Sequence, residues 1–162
     1  ILAIQPNGGP QGLGYQYTWT RDIPEPNILE IIEHYKNDYS IIHIKREDQK
    51  VYPDTLHALD GFRSIAILLQ LADKRLLIDS FAQHMAASLN VKSTVCWIST
   101  KPEVFGYKLH NNIKANPFTK DPILHEAGYQ PFGLSQDIHS IPYNDLTEVF
   151  DTNKIIESIK NQ

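Results

Sequence analysis

Short apolar runs rich in β-branched residues alternate along the chain with segments of helical periodicity. Five of the runs predict strands, and they lie at residues 1–4, 40–45, 55–59, 75–78 and 93–98. The run at 55–59 is the weakest of them. The runs are continuously apolar instead of alternating apolar and polar, which is typical of parallel strands covered on both faces.

Four segments carry helical patterns. Apolar residues at i, i+3, i+4 and i+7 predict a helix over 26–35, and Asn27 followed by Glu30 predicts a capping box at its start. Further helices are predicted at 64–73, 80–89 and 152–160. Strands alternating with helices predict a three-layer α/β/α fold with a Rossmann-like parallel sheet. The stretch 106–143 has no sustained period and predicts loop with short elements over one edge of the sheet.

Composition narrows the possible partners. The chain has 162 residues, with 15 Lys and Arg against 19 Asp and Glu, for a net charge of −4. No basic run is present, which argues against nucleic acid and against an anionic membrane surface. No apolar stretch reaches the length of a membrane-spanning helix. We read residues 1–162 as one domain, and because its only methionine is Met85 we expect it to be part of a longer protein.

Cysteine and histidine usage points to no metal or disulfide framework. Cys96, the single cysteine, lies in an apolar setting, which predicts a buried thiol in a reducing compartment. The seven histidines include no pair at metal-ligand spacing. We therefore expect neither a metal nor another cofactor.

Three loops that follow predicted strands carry candidate chemistry, because ligands of open α/β sheets bind beyond the carboxyl ends of the strands. The loop after the first strand contains four glycines between Gly8 and Gly14. Backbone N–H groups of such a loop suit a phosphate, and Asn7, Gly8 and Gly9 are its candidates. The spacing matches neither the dinucleotide fingerprint nor the Walker loop, and a surface turn is the alternative.

The loop after the fourth strand runs directly into a predicted helix. Asp79 and Ser80 stand at its start, where unpaired N–H groups and the helix dipole favour an anion. Ser80 and His84 share a face at i, i+4. The alternative is a purely structural start, with Ser80 and Gln83 as a capping box. After the fifth strand, Thr100 is a candidate ligand contact in a hydroxyl-rich turn before a proline, which ordinary turn chemistry also explains.

The order of these motifs resembles the C-terminal, donor-binding half of the GT-B glycosyltransferases of family 9, the ADP-heptose lipopolysaccharide heptosyltransferases. The block 79–87 resembles the family motif Asp-Ser/Thr-Gly-x-x-x-His-x-Ala-Ala, with Phe81 at the glycine, and Ser99-Thr100-Lys101-Pro102 resembles its following turn. Segments 21–25 and 61–65 resemble its Lys-x-Trp-Pro-x-Glu segment and its Gly-x-x-Ser-Leu helix. The resemblance covers residues 1–107, and only the block 79–87 is specific by itself.

The resemblance implies a role for each matched position. Ser80 and the amide of Phe81 would hold the donor diphosphate, and Asp79 and His84 would line the sugar or ribose side. Arg21, in place of the family lysine, would neutralise phosphate, a change that favours bidentate contact. Glu47 or Asp48 would bind the ribose. The implied donor-binding residues are therefore Asn7, Gly8, Gly9, Arg21, Glu47, Asp79, Ser80, Phe81, His84 and Thr100.

The implied function is donor binding in an inverting, metal-independent, heptosyltransferase-like glycosyltransferase of lipopolysaccharide or surface-glycan synthesis. The donor would be an ADP- or UDP-sugar. The glycan or lipid-linked acceptor and the general base would belong to an N-terminal half, so this chain alone would not transfer sugar. We expect a cytoplasmic location, which for the full-length protein would include the inner-membrane surface. Two alternatives stay open: a non-catalytic nucleotide or sugar-phosphate binding module, which Phe81 favours, and a nucleotide-sugar epimerase with Asp79 or Glu103 as its carboxylate.

Overall fold

The strands form a single layer at the centre of the molecule. The computed structural model describes residues 1–8, 19–58, 61–120 and 141–162. Within these ranges, six parallel strands form one sheet in the order β3-β2-β1-β4-β5-β6. The strands are β1 (Leu2–Ile4), β2 (Ile41–Ile44), β3 (Leu56–Ala58), β4 (Lys74–Ile78), β5 (Thr94–Trp97) and β6 (Asn111–Lys114). The predicted parallel α/β fold is confirmed.

Helices cover both faces of this sheet. They are α1 (Glu25–Tyr35), α2 (Phe62–Leu71), α3 (Phe81–Ser88), the short α4 (Pro102–Phe105) and α5 (Thr152–Lys160). Side chains of α1 and α5 pack in the same buried cluster as Leu2 and Ile4 of β1, whereas α2 and α3 pack in the cluster that contains Ala3. Alternate residues of the strand thus face opposite helix layers. None of the described helices has the length and apolar character needed to cross a membrane.

Strand β6 lies inside the stretch 106–143, which is predicted as loop with short elements over one edge of the sheet, and no apolar run in the sequence indicates it as a strand. Three of its four residues are polar, and its asparagines are used in hydrogen bonds instead of apolar packing. Asn112 Oδ1 accepts from Trp97 Nε1 at 2.8 Å, and Asn111 Nδ2 donates to the Ser158 carbonyl oxygen at 3.1 Å. An edge strand of this kind carries no continuous apolar run. Residues 121–140 of the same stretch lie outside the described residues.

The predicted capping box at the start of α1 is wrong. The helix begins at Glu25, two residues before Asn27, with Pro26 in its first turn, a position where proline is well tolerated. Asn27 is buried, and its amide donates to the Phe150 carbonyl oxygen at 3.2 Å and to Thr152 Oγ1 at 2.9 Å. Asn27 therefore joins α1 to the start of α5 instead of capping its own helix.

Candidate functional site

A cavity of about 360 Å³ opens at the carboxyl ends of β1, β2 and β4. Strands β1 and β4 are neighbours, and the helices that follow them pack on opposite faces of the sheet. This is the topological switch point where doubly wound folds bind ligands. We call it the central cavity, and it is lined by Gln5, Asn7, Ile44, Lys45, Arg46, Gln49, Gly61, Phe62, Ile65, Ser80 and Phe81. Three of the sequence-predicted residues, Asn7, Ser80 and Phe81, thus meet in one cavity from two separate loops.

The start of α3 forms one wall of the central cavity. Ser80 precedes the first helical residue in extended conformation, and its side chain makes no capping hydrogen bond. Gln83 is fully buried and donates to the Phe105 carbonyl oxygen at 3.2 Å. The alternative of a Ser80–Gln83 capping box is therefore wrong. Within the described residues, the N–H groups of Phe81 and Ala82 have no hydrogen-bond acceptor, which leaves them available to an anion.

The loop after β1 is organised by a buried carboxylate that the sequence analysis did not single out. Asp22 Oδ1 accepts from the Gly8 N–H at 2.8 Å, and Asp22 Oδ2 accepts from Asn7 Nδ2 at 3.4 Å. Asn7 Oδ1 in turn accepts from the Tyr52 hydroxyl at 3.2 Å. The Gly8 N–H is therefore occupied within the protein, so it is not among the donors available to a ligand. Gly9 lies outside the described residues.

Glycine at position 8 makes room for Arg21. A Cβ added to Gly8 would lie 2.5 Å from Arg21 Cδ and 3.2 Å from Ile78 Cδ1. The arginine side chain thus crosses the loop beside the end of β4. Arg21 lines neither the central cavity nor a second cavity at the ends of β5 and β6. Its guanidinium has no hydrogen bond or ion pair with any described residue.

Asp79 and Thr100 lie together but outside the central cavity. Thr100 Oγ1 donates to Asp79 Oδ2 at 2.6 Å, which links the loops after β4 and β5. Thr100 also lines a second cavity of about 550 Å³ at the ends of β5 and β6. In that cavity Glu103 forms an ion pair with Lys114, which holds the pKa of the Glu103 carboxyl below its usual range.

His84 and Glu47 are also absent from the lining of the central cavity, as are Gly8, Arg21, Asp79 and Thr100. His84 is exposed, and its Nδ1 lies 3.0 Å from the Tyr107 hydroxyl on the outer surface of α3. Glu47 is also exposed, and neither it nor Asp48 lines the cavity. Lys45 and Arg46 line it instead. The described lining at the end of β2 is thus cationic, and the implied acidic ribose contact stays a prediction.

The turn after β2 explains why Arg46 lines the central cavity and Asp48 does not. Arg46 N–H donates to Gln49 Oε1 at 3.0 Å, and Arg46 Nε pairs with Asp48 Oδ1 at 3.2 Å. This turn keeps the Asp48 carboxylate beside Arg46 and outside the cavity lining. Sequence position alone could not show which side chain of the turn faces inward.

Gln5 is a site residue that sequence reasoning missed. Only 5% of its surface is exposed, it lines the central cavity, and its Oε1 has no hydrogen-bond partner among the described residues. A buried acceptor without a partner costs about 1–3 kcal/mol, so such atoms are rare in native proteins. In the sequence, the one feature that points to Gln5 is its position as the first polar residue after the apolar run of β1.

A buried histidine lies in β2, near the end of the strand that borders the central cavity. His43 of β2 is fully buried in register with Ile4, and neither ring nitrogen has a hydrogen-bond partner. Its ring contacts those of Tyr52 and His57. Burial lowers the pKa of His43 to about 3, so its imidazole is neutral at physiological pH.

Comparisons with family models, curated proteins and solved structures found no match to this chain. Among the described residues, no cluster of three or more His, Cys, Asp or Glu side chains is arranged to hold a metal ion. The geometry of the central cavity is therefore the basis for assigning a function to this chain.

Proposed function

We propose that the central cavity binds the nucleoside diphosphate of a nucleotide-sugar donor, and that the chain is the donor-binding domain of an inverting glycosyltransferase of the kind its sequence resembles. The observation that carries the proposal is the Gln5 carboxamide. It is buried without a partner for Oε1 in a cavity that also receives the start of α3. The ribose hydroxyls or base N–H groups of a nucleoside would donate to this oxygen, which a phosphate alone could not do.

The charges around the cavity support an anionic ligand. Among the described residues, Lys45 and Arg46 are the ionisable side chains of its lining, which includes no carboxylate. The amino end of α3 adds the positive end of a helix dipole with free N–H groups. The stem of Arg21 lies beside the end of β4, outside the lining of this cavity. A diphosphate would meet favourable charge at the end of β2 and at the start of α3.

The same groups suit the chemistry of metal-independent transfer. In an inverting transfer, the bond between the sugar and the diphosphate breaks as the acceptor oxygen attacks, and negative charge grows on the leaving phosphate. The N–H groups of Phe81 and Ala82, together with Lys45 and Arg46 of the lining, would stabilise that charge. We propose a heptosyltransferase-like reaction with a glycan or lipid-linked acceptor.

Calorimetric titration tests this proposal. The wild-type chain is titrated with ADP, UDP, an ADP-sugar, a UDP-sugar and pyrophosphate. We expect binding of all five and a loss of about tenfold or more for Arg46→Gln, since Arg46 lines the cavity and a hydrogen bond to a charged group is worth about 1.5–3 kcal/mol. Lys50→Gln is the matched control, since Lys50 is exposed, pairs with Glu25 and does not line the cavity. Absence of binding by the wild type, or equal losses in both variants, would refute the proposal.

A non-catalytic binding module is the second candidate, and Phe81 is the observation that favours it. A bulky ring stands where the family motif has glycine, although it leaves about 360 Å³ of the cavity open. A transfer assay on a protein that joins this domain to an acceptor-binding half separates the two functions. The epimerase alternative gains no support, because Asp79 is hydrogen-bonded to Thr100 and Glu103 is paired with Lys114.

A further inference from the structure

We propose that Phe62 and Phe81 form an aromatic platform on which the ligand's nucleobase stacks. This inference rests on the proposed function and deepens it by naming how the nucleoside is held. It assigns a binding role to Phe81, the residue that departs from the family motif, and to Phe62, the first residue of α2. It also implies that the cavity accepts different bases.

The geometry of the pair leaves aromatic surface open to a ligand. The two rings meet edge to face, with centroids 5.6 Å apart and planes at 84°. Phe62 is 71% exposed and Phe81 is 37% exposed, and both line the central cavity. An edge-to-face contact covers little of either ring, so both present π-surface at the cavity wall.

Core packing does not account for this pair. Ile65 and Leu69 are the buried residues of α2 and pack in the cluster beneath it, and neither Phe62 nor Phe81 belongs to a buried cluster. Leu71, on the same helix, is 67% exposed but does not line the cavity. Exposure of apolar side chains is thus general on α2, and the position of Phe62 at the cavity is what sets it apart.

The platform lies where the nucleoside of a bound diphosphate would extend. With the phosphates at the start of α3, the remainder of a ligand in the central cavity reaches toward Lys45 and Arg46 at the end of β2. Strand β3 is the neighbour of β2, and Phe62 begins the helix that follows β3. The acidic ribose contact does not line the cavity, whereas a guanidinium such as that of Arg46 stacks readily on planar rings.

Recognition by stacking tolerates a change of base. Every base offers a π-face, so aromatic stacking selects weakly among them. The Gln5 carboxamide does not restore selectivity, because it carries both a carbonyl acceptor and an NH₂ donor. We therefore expect ADP and UDP to bind the wild-type chain with dissociation constants within about tenfold of each other.

Titrations with ADP, UDP and pyrophosphate test the platform, because only the two nucleotides carry a base that can stack on it. Phe62→Ala should weaken ADP and UDP by about 5-fold to 100-fold, the range expected for one lost stacking contact, and change pyrophosphate by less than about twofold. Phe62→Tyr should restore nucleotide binding. Leu71→Ala is the control, since it removes a similarly exposed side chain of α2 without touching the cavity.

Each outcome decides a separate point. Unchanged nucleotide binding in Phe62→Ala, or an equal loss of pyrophosphate binding, would overturn the platform and leave the proposed function standing. A preference well beyond tenfold for one nucleotide would overturn the tolerance of bases. If the wild-type chain binds none of the three ligands, the proposed function fails and this inference fails with it.

Discussion

Removing the Asp22 carboxylate should loosen the loop after β1 and destabilise the protein. Asp22 is fully buried and accepts from the Gly8 N–H at 2.8 Å and from Asn7 Nδ2 at 3.4 Å. Asp22→Ala removes both acceptors and leaves the Gly8 N–H without them. Asp22→Asn keeps a carbonyl oxygen for one donor but places an NH₂ group toward the other, so it should be intermediate.

The magnitude follows from these two contacts. The short bond from an N–H to a carboxylate is worth about 1.5–3 kcal/mol, and the 3.4 Å bond adds less than about 1 kcal/mol. Relief of the desolvation cost of a buried carboxylate offsets part of this sum. We expect Asp22→Ala to lower the free energy of unfolding by about 2 kcal/mol, which lowers Tm by about 4–8 °C in a domain of this size.

Urea denaturation checks the value. With a slope of about 2 kcal/mol/M, a loss of about 2 kcal/mol lowers the midpoint by about 1 M while the slope stays constant. Asp38→Ala is the matched control, because Asp38 is exposed and its carboxylate has no hydrogen bond or ion pair with a described residue. A midpoint for Asp22→Ala as close to the wild type as that of the control would show that this carboxylate does not organise the loop.

Two further predictions concern buried groups. Because the pKa of His43 is about 3 in the folded state and near 6.5 when unfolded, unfolding takes up a proton between these values. The free energy of unfolding should therefore fall as the pH drops from about 6.5 toward 3, by up to about 1.4 kcal/mol per pH unit, and His43→Leu should flatten this slope in denaturation curves. Burial raises the pKa of the Cys96 thiol, so a thiol reagent should label Cys96 only at the rate of unfolding; rapid labelling of the native protein would contradict its burial.

Hydrophobic periodicity predicted most of the fold, because each continuous apolar run corresponds to a strand that helices cover. The runs that became β1, β2, β4 and β5 are buried between two helix layers, and their bounds agree with the prediction to within a residue or two. Strand β6 was missed because its residues pair with a neighbour through the backbone and use polar side chains. The pattern of polar and apolar residues in β6 does not distinguish this strand from a loop.

The site was predicted only in part, because roles depend on contacts distant in sequence. Ser80 and Phe81 could be placed, since a strand that runs directly into a helix fixes where the first N–H groups point. The partners of Asp22 lie more than ten residues away, and the inward position of Arg46 depends on how one turn closes. Gln5 stands out only when its burial and its unpaired oxygen are both known.

The position of β1 at the middle of the sheet has a consequence for how the chain acquires its structure. Leu2 pairs with Ile41 on one side and with Lys74 on the other. Strand β1 therefore lacks its second neighbour until β4, which lies more than seventy residues later in the chain, pairs with it. Parallel pairing of this long range slows folding and leaves apolar edges open meanwhile. Nascent or refolding chains should thus be most prone to aggregate before β4 docks.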